Sequence, residues 1–252
     1  MSDGPVKTCA FGDLDAGLWG IVWAPGTGEL AAHIDLGEQQ IGVERLEGDG
    51  LEANWRLSGE GTDLVLSAVG EKADLSLGQY GLHEQVQLCA VEGRVGDVEF
   101  RCAGQRSVRS AVAADGVESL RELGAWFGER EGVAVAVARP SGARSHDEDA
   151  IGAVLFEDGR VASVAEPRVS SVYDAGGVPV RAGLELWLEE HDEPPGEEEH
   201  VAARQFPRRA AGEALGRRAL LAAGPLALQA ELFRWSLRGE RGTGVYLIAR
   251  SR

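Results

Sequence analysis

Residues 84–102 read EQVQLCAVEGRVGDVEFRC. Glu84–Val91 alternates in period two, Glu92-Gly93 interrupts it, and Val95–Cys102 takes the alternation up again, a pattern that predicts an antiparallel hairpin turning at Glu92-Gly93. Working outward, Leu18–Ala24, Leu30–Leu36, Ile41–Leu46, Leu51–Leu57 and Asp63–Val69 repeat the pattern at short intervals. Gly26-Thr27-Gly28, Gly48-Asp49-Gly50 and Gly59-Glu60-Gly61 separate them. Short alternating runs closed by turn residues are the mark of an antiparallel sandwich or barrel. The interval 106–122 alternates weakly and mixes charges, so it reads as a connection, with a short helical turn at Val117–Leu123. Strands resume at Val133–Ala138, Ile151–Phe156 and Val161–Ala165, the last two joined at Asp158-Gly159. Ala182–Glu189, Leu226–Leu237 and Gly244–Arg250 follow, with a turn at Gly239–Gly242. The expected organisation is all-β: an N-terminal domain over 1–105, a connection over 106–122 and a C-terminal domain over 123–252.

Composition agrees. Thirty-five glycines in 252 residues suit many tight turns better than long helices. The formal net charge of −16 argues against nucleic acid, whose phosphates need a basic surface. No apolar run is long enough to span a bilayer, and the first residues lack the apolar core of a signal peptide. Cys9, Cys89 and Cys102 are odd in number and widely spaced. Cys89 and Cys102 could pair across neighbouring strands, but reduced core thiols are expected, which fits a reducing compartment and a soluble, cytoplasmic protein.

One ordered set of short motifs runs from Gly78 onward: Tyr80-Gly81, Cys89-Ala90-Val91-Glu92-Gly93, Gly104-Gln105-Arg106-Ser107 and Ala138-Arg139-Pro140-Ser141-Gly142-Ala143. His146 and Asp149 follow, then Glu166-Pro167-Arg168, Ser170-Ser171-Val172-Tyr173-Asp174, Arg181–Trp187, Arg208–Glu213, Phe233-Arg234-Trp235 and Gly242–Tyr246. This set resembles the lipocalin-like superfamily of carotenoid hydratases, the hydroxyneurosporene synthase group. The resemblance implies two lipocalin-like antiparallel β-barrel or sandwich halves packed together. It also implies an apolar small-molecule partner, isoprenoid- or polyketide-like, bound in a β-barrel cavity, with hydration or cyclisation as the reaction open to it; no cofactor is expected. After Gly-Gln-Arg, relatives continue with an Asp-His-Ser-Trp-Gly type motif, whereas this chain has Ser107-Val108-Arg109-Ser110. That departure leaves open a non-catalytic carrier of a hydrophobic metabolite, or an interaction protein with a filled barrel.

Hydrating an isolated alkene takes a carboxylic acid whose pKa is raised by apolar walls, and aromatic faces to stabilise the cation. Glu185 and Trp187, two apart on one strand face, meet that description, or else form an outward, solvated face. Asp149 is the other candidate acid. It sits with His146 at a strand entry, where the two either bind a ligand oxygen or satisfy a turn. Tyr173 and Asp174 either bind ligand or, respectively, pack in the core and open the turn at Gly176-Gly177. Trp126 and Trp235 are candidate cavity walls, a role that overlaps with core packing in a barrel. His191 and His200 bracket an acidic Pro-Pro-Gly segment that reads as a solvated loop, so no metal site is expected. Oligomeric state is not legible.

Overall fold

A computed structural model describes residues 4–26, 29–37, 39–110, 116–189, 206–224 and 226–251. His191 and His200 lie outside them. The N-terminal half contains β1 (Val6–Asp13), β2 (Leu18–Ala24), β3 (Ala31–Leu36), β4 (Gln39–Ile41), β5 (Arg45–Glu47), β6 (Trp55–Gly59), β7 (Thr62–Leu77), β8 (Leu82–Val95) and β9 (Val98–Arg109). They form one curled antiparallel sheet in the order β4-β3-β2-β1-β9-β8-β7-β6-β5. The C-terminal half contains β10 (Val117–Trp126), β11 (Gly132–Pro140), β12 (Ala150–Glu157), β13 (Arg160–Tyr173), β14 (Pro179–Leu188), β15 (Arg208–Ala223), β16 (Leu226–Leu237) and β17 (Glu240–Ser251). These strands close a barrel in chain order, with β17 paired to β10. The fold is therefore all-β, two lipocalin-like halves side by side. No helix among the described residues is long and apolar enough to cross a membrane.

Three apolar layers follow from the alternation. Phe11, Val22, Trp55, Leu66 and Val91 fill the N-terminal half, together with the three free, buried cysteines. Leu123, Val135, Leu184, Phe233, Trp235 and Tyr246 fill the barrel. The third layer is the seam between the halves, where Trp19, Ile21, Trp23, Leu75 and Val86 meet Leu120, Trp126, Ala134, Ala136, Leu228 and Leu247. Strands at the seam bury both faces, one inside their own half and one against the other half.

Several readings of the sequence change here: Ile41–Leu46, expected as one strand, is split between β4, ending at Ile41, and β5, beginning at Arg45. The hairpin over 84–102 forms, but it turns at Gly96-Asp97, with Val95 opposite Val98 and Gly96 at φ 60°. Gly93 instead lies within β8, where a Cβ would stand 2.1 Å from the Asp63 carbonyl oxygen. That glycine marks a close backbone approach and not a turn. The helical turn expected at Val117–Leu123 is strand β10: Ser119, Arg121 and Leu123 alternate with Leu120, Glu122 and Gly124, and the two sets face opposite buried layers. Its period was hidden because polar side chains stand on both faces.

Arg106 plugs the N-terminal half. It is fully buried, donates to the carbonyls of Leu51, Ala53 (2.7 Å) and Leu66 (3.3 Å) and to the Gln87 amide oxygen (3.1 Å), and lies 5.3 Å from the Trp55 ring centroid. One side chain thus pins the 48–54 loop into the N-terminal half by binding its Leu51 and Ala53 carbonyls. Replacing it orphans those acceptors. Arg106→Ala is expected to cost roughly 2–4 kcal/mol in urea unfolding. Arg56→Ala, which breaks the exposed pair with Asp63, should change stability far less. Similar losses for the two variants would overturn the plug role.

Candidate functional site

Within the seam lies one buried charged group. Arg109, at the end of β9, is 1 % exposed. Its Nη2 meets the Glu122 carboxylate of β10, its Nε lies 4.0 Å from Glu84 Oε2 of β8, and its guanidinium sits 4.9 Å from the Trp23 ring centroid. Glu122 comes from the barrel and the other three from the N-terminal half, so the group exists only because the halves pack. Beside it is a cavity of about 40 Å³ lined by Thr8, Glu84, Gln105, Ser107, Glu122 and Gly124, with Ile21, Leu75, Val86, Ala134, Val245 and Leu247 as apolar wall.

Burial pushes the Glu122 carboxyl up to about 7. The nearby Glu84 adds to the rise, and the Arg109 guanidinium opposes it. Two carboxylates sharing one buried cation leave one of them readily protonated. Near neutral pH Glu122 is thus a proton donor in an apolar wall, with a cation in place to receive the carboxylate left behind.

A second polar chain runs inside the barrel. The Tyr173 and Tyr246 hydroxyls lie 3.1 Å apart and Ser171 Oγ is 3.0 Å from Tyr246. Arg121 donates to Tyr173 at 3.3 Å and pairs with Asp149. Asp149, 3 % exposed, also takes Arg139 (3.2 Å) and His146 (3.3 Å). Burial pushes the Tyr246 phenol up. Burial acts on Tyr173 in the same direction, but hydrogen bonds from Tyr246 and Arg121 outweigh it, so its phenol is lowered. The structure therefore joins the His146–Asp149 pair to Tyr173, which the sequence reading proposed separately from them, with Arg121 as the link it did not name. Phe233 and Trp235, stacked at 5.8 Å, fill the barrel with Leu184.

The other expectations fare differently. Ala182, Leu184 and Leu186 point into the barrel, so Glu185 and Trp187 face outward, and Glu185 pairs with Arg209 at 3.0 Å. The expectation that these two line an internal cavity is corrected by that register. Asp174 does open the turn, accepting from the backbone N–H of Gly176 (2.8 Å) and Val178 (2.9 Å). Trp235 belongs to the barrel core, and Trp126 to the seam, where its indole donates to the Gly12 carbonyl at 3.3 Å. Glu122, Glu84 and Arg109 were missed. The available signal was Ser107–Ser110, the segment where the chain departs from the motif pattern it resembles: Ser107 and Arg109 both face the seam.

The class this geometry defines is a two-half lipocalin-like protein with its enclosed polar site between the halves. No protein-family model matches the chain, and no curated protein does. Solved structures share the architecture. Kievitone hydratase from Nectria haematococca superposes with a TM-score of 0.55 at 9 % identity, over 99 % of this chain and 89 % of that one. An AttH-type protein from Nitrosomonas europaea does so with a TM-score of 0.53 at 11 % identity, over 98 % and 91 %. At these identities the likeness is one of fold.

Because Glu122 holds its proton more tightly folded than unfolded, the folded chain binds more protons between about pH 4.5 and 7. Stability from this group is present below that window and is lost as pH rises through it. Glu122→Gln keeps the shape and removes the titration. In unfolding titrations from pH 4.5 to 7.5 the variant is expected to lack a decline on the order of 2–3 kcal/mol that the parent shows. Parallel curves would overturn the assignment.

Proposed function

We propose that the chain binds an apolar small molecule, isoprenoid- or polyketide-like, in the seam between its halves, and that Glu122 donates a proton to it in a hydration or cyclisation. The observation that carries this reading is a carboxyl group raised to about 7 by burial, beside a cavity with an apolar wall. An unactivated double bond needs a strong local acid, and a neutral carboxyl near pH 7 is one. Arg109 holds the carboxylate that remains after transfer, and Trp23 beneath it shields the pair from water. The small residues Ala134, Ala136 and Ala138 form the barrel side of the seam, where a ligand would have to part the two halves. Glu122 thereby takes the role first read for Glu185. Kievitone hydratase, a hydratase by name, supports the reading because it shares this fold. The filled interiors of both halves favour a second reading, an interaction protein in which Glu122 has no chemical role.

The test is native mass spectrometry of the protein purified from its own host, followed by organic extraction. The parent and Glu122→Gln are both expected to carry an apolar metabolite. The variant should hold the unconverted compound and turn it over at least about 100-fold more slowly. Ala134→Phe, which fills the seam, should carry none. Bare protein in every preparation, or equal turnover with and without Glu122, would favour the interaction protein.

A further inference from the structure

The cavity beside Glu122 is not uniformly apolar. Thr8 Oγ1 of β1 and the Gln105 amide oxygen of β9 are both buried and have no hydrogen-bond partner within the protein. Both residues line the cavity, as does Glu122. Ala10 is opposite Gln105 and Ser107 opposite Thr8 in the β1–β9 ladder, so Thr8 and Gln105 are diagonal neighbours on the seam face. From the barrel side, Gly124 makes room for the Gln105 amide: a Cβ there would stand 2.9 Å from Oε1. Gly124 is two residues along β10 from Glu122, on the same face.

Leaving two such oxygens unpaired in an apolar layer costs roughly 1–3 kcal/mol each. A cavity near 40 Å³ exceeds the roughly 10–15 Å³ that one water needs. We propose that Thr8 and Gln105 form a water-binding site beside Glu122, and that the water held there is the second reactant of the seam. The inference rests on the reading of Glu122 as proton donor and narrows the chemistry from cyclisation to addition of water. The step balances. The Glu122 O–H bond breaks as the alkene π pair forms a C–H bond. The cation formed on the adjacent carbon takes a lone pair from the water oxygen to make a C–O bond. The oxonium proton then returns to the Glu122 carboxylate. The net change is alkene plus water to alcohol, with the carboxyl restored.

Thr8→Val and Gln105→Leu keep the volume of each side chain and remove its polar atoms. Crystal structures of the parent and the double variant, each with and without pressurised xenon, test the site. The parent is expected to show ordered water within hydrogen-bond distance of Thr8 Oγ1 and Gln105 Oε1 and to exclude xenon. The double variant should lose that water and admit xenon. Xenon in the parent cavity, or water that persists in the double variant, would overturn the proposal. The infrared carboxyl band of Glu122, followed from pH 4 to 8 in the same proteins, separates this from the underlying reading. A protonated Glu122 beside a dry cavity sinks the water site alone. Glu122 ionised already at pH 5 sinks the proton donor. If the extracted metabolite and its product differ by the mass of one water, the role as second reactant stands, and equal masses overturn it.

Discussion

Strands at the seam have to bury both faces, and most of the architecture answers that demand. A sheet with one wet face tolerates charge on alternate residues, whereas β9 and β10 have no wet face along their middle. Any charged side chain there must find a partner inside the protein or change its protonation. Arg106 and Arg109, three residues apart on β9, solve the problem in opposite layers. Arg106 spends its donors on loop carbonyls inside the N-terminal half. Arg109 settles between two carboxylates at the seam, in an arrangement that cannot keep both of them comfortably ionised. The proton held by Glu122 is thus a consequence of how the halves pack.

The same constraint explains what could be read along the chain. Glu84–Val91 and Ile151–Phe156 stand out as short, mostly apolar runs bounded by turn residues, although both faces of each are largely buried, and the Asp158-Gly159 turn is confirmed by positive φ at both residues. The turn of the 84–102 hairpin was misplaced by three residues because Gly93 and Gly96 look alike in one dimension. Only the packing shows that one meets the Asp63 carbonyl oxygen while the other turns the chain. β10 was hidden because both its faces carry polar residues, and β15 because its alternation is broken by an irregularity between Ala214 and Arg218.

Candidate residues divided along the same line. His146, Asp149 and Tyr173 were recognisable by residue type, and folding gathers them through Arg121. Glu185 was chosen for its neighbour Trp187, yet the register of β14 turns both outward, since a strand face is fixed by parity and nothing in the residue types reveals which parity is inside. Glu122 lacked any such flag. It lies between an arginine and a leucine in a stretch that reads as a connection, and its environment is supplied by strands far away in sequence.

The two halves differ in one mechanical respect. The barrel is a closed ring of ladders, so its girth is set by eight strand pairings. The N-terminal sheet ends in β4 and β5, which are neighbours along the chain yet opposite edges of the sheet. The chain over Gly42–Glu44 joins the two edges; Glu44 N–H to the Ser58 carbonyl prolongs the β5–β6 pairing, and Thr62 Oγ1 of β7 donates to the Gly42 carbonyl. One half is therefore a rigid hoop and the other a split ring. Any widening of the seam would therefore fall to the split ring, whose circumference no ladder closes, while the strand that carries Glu122 belongs to the hoop.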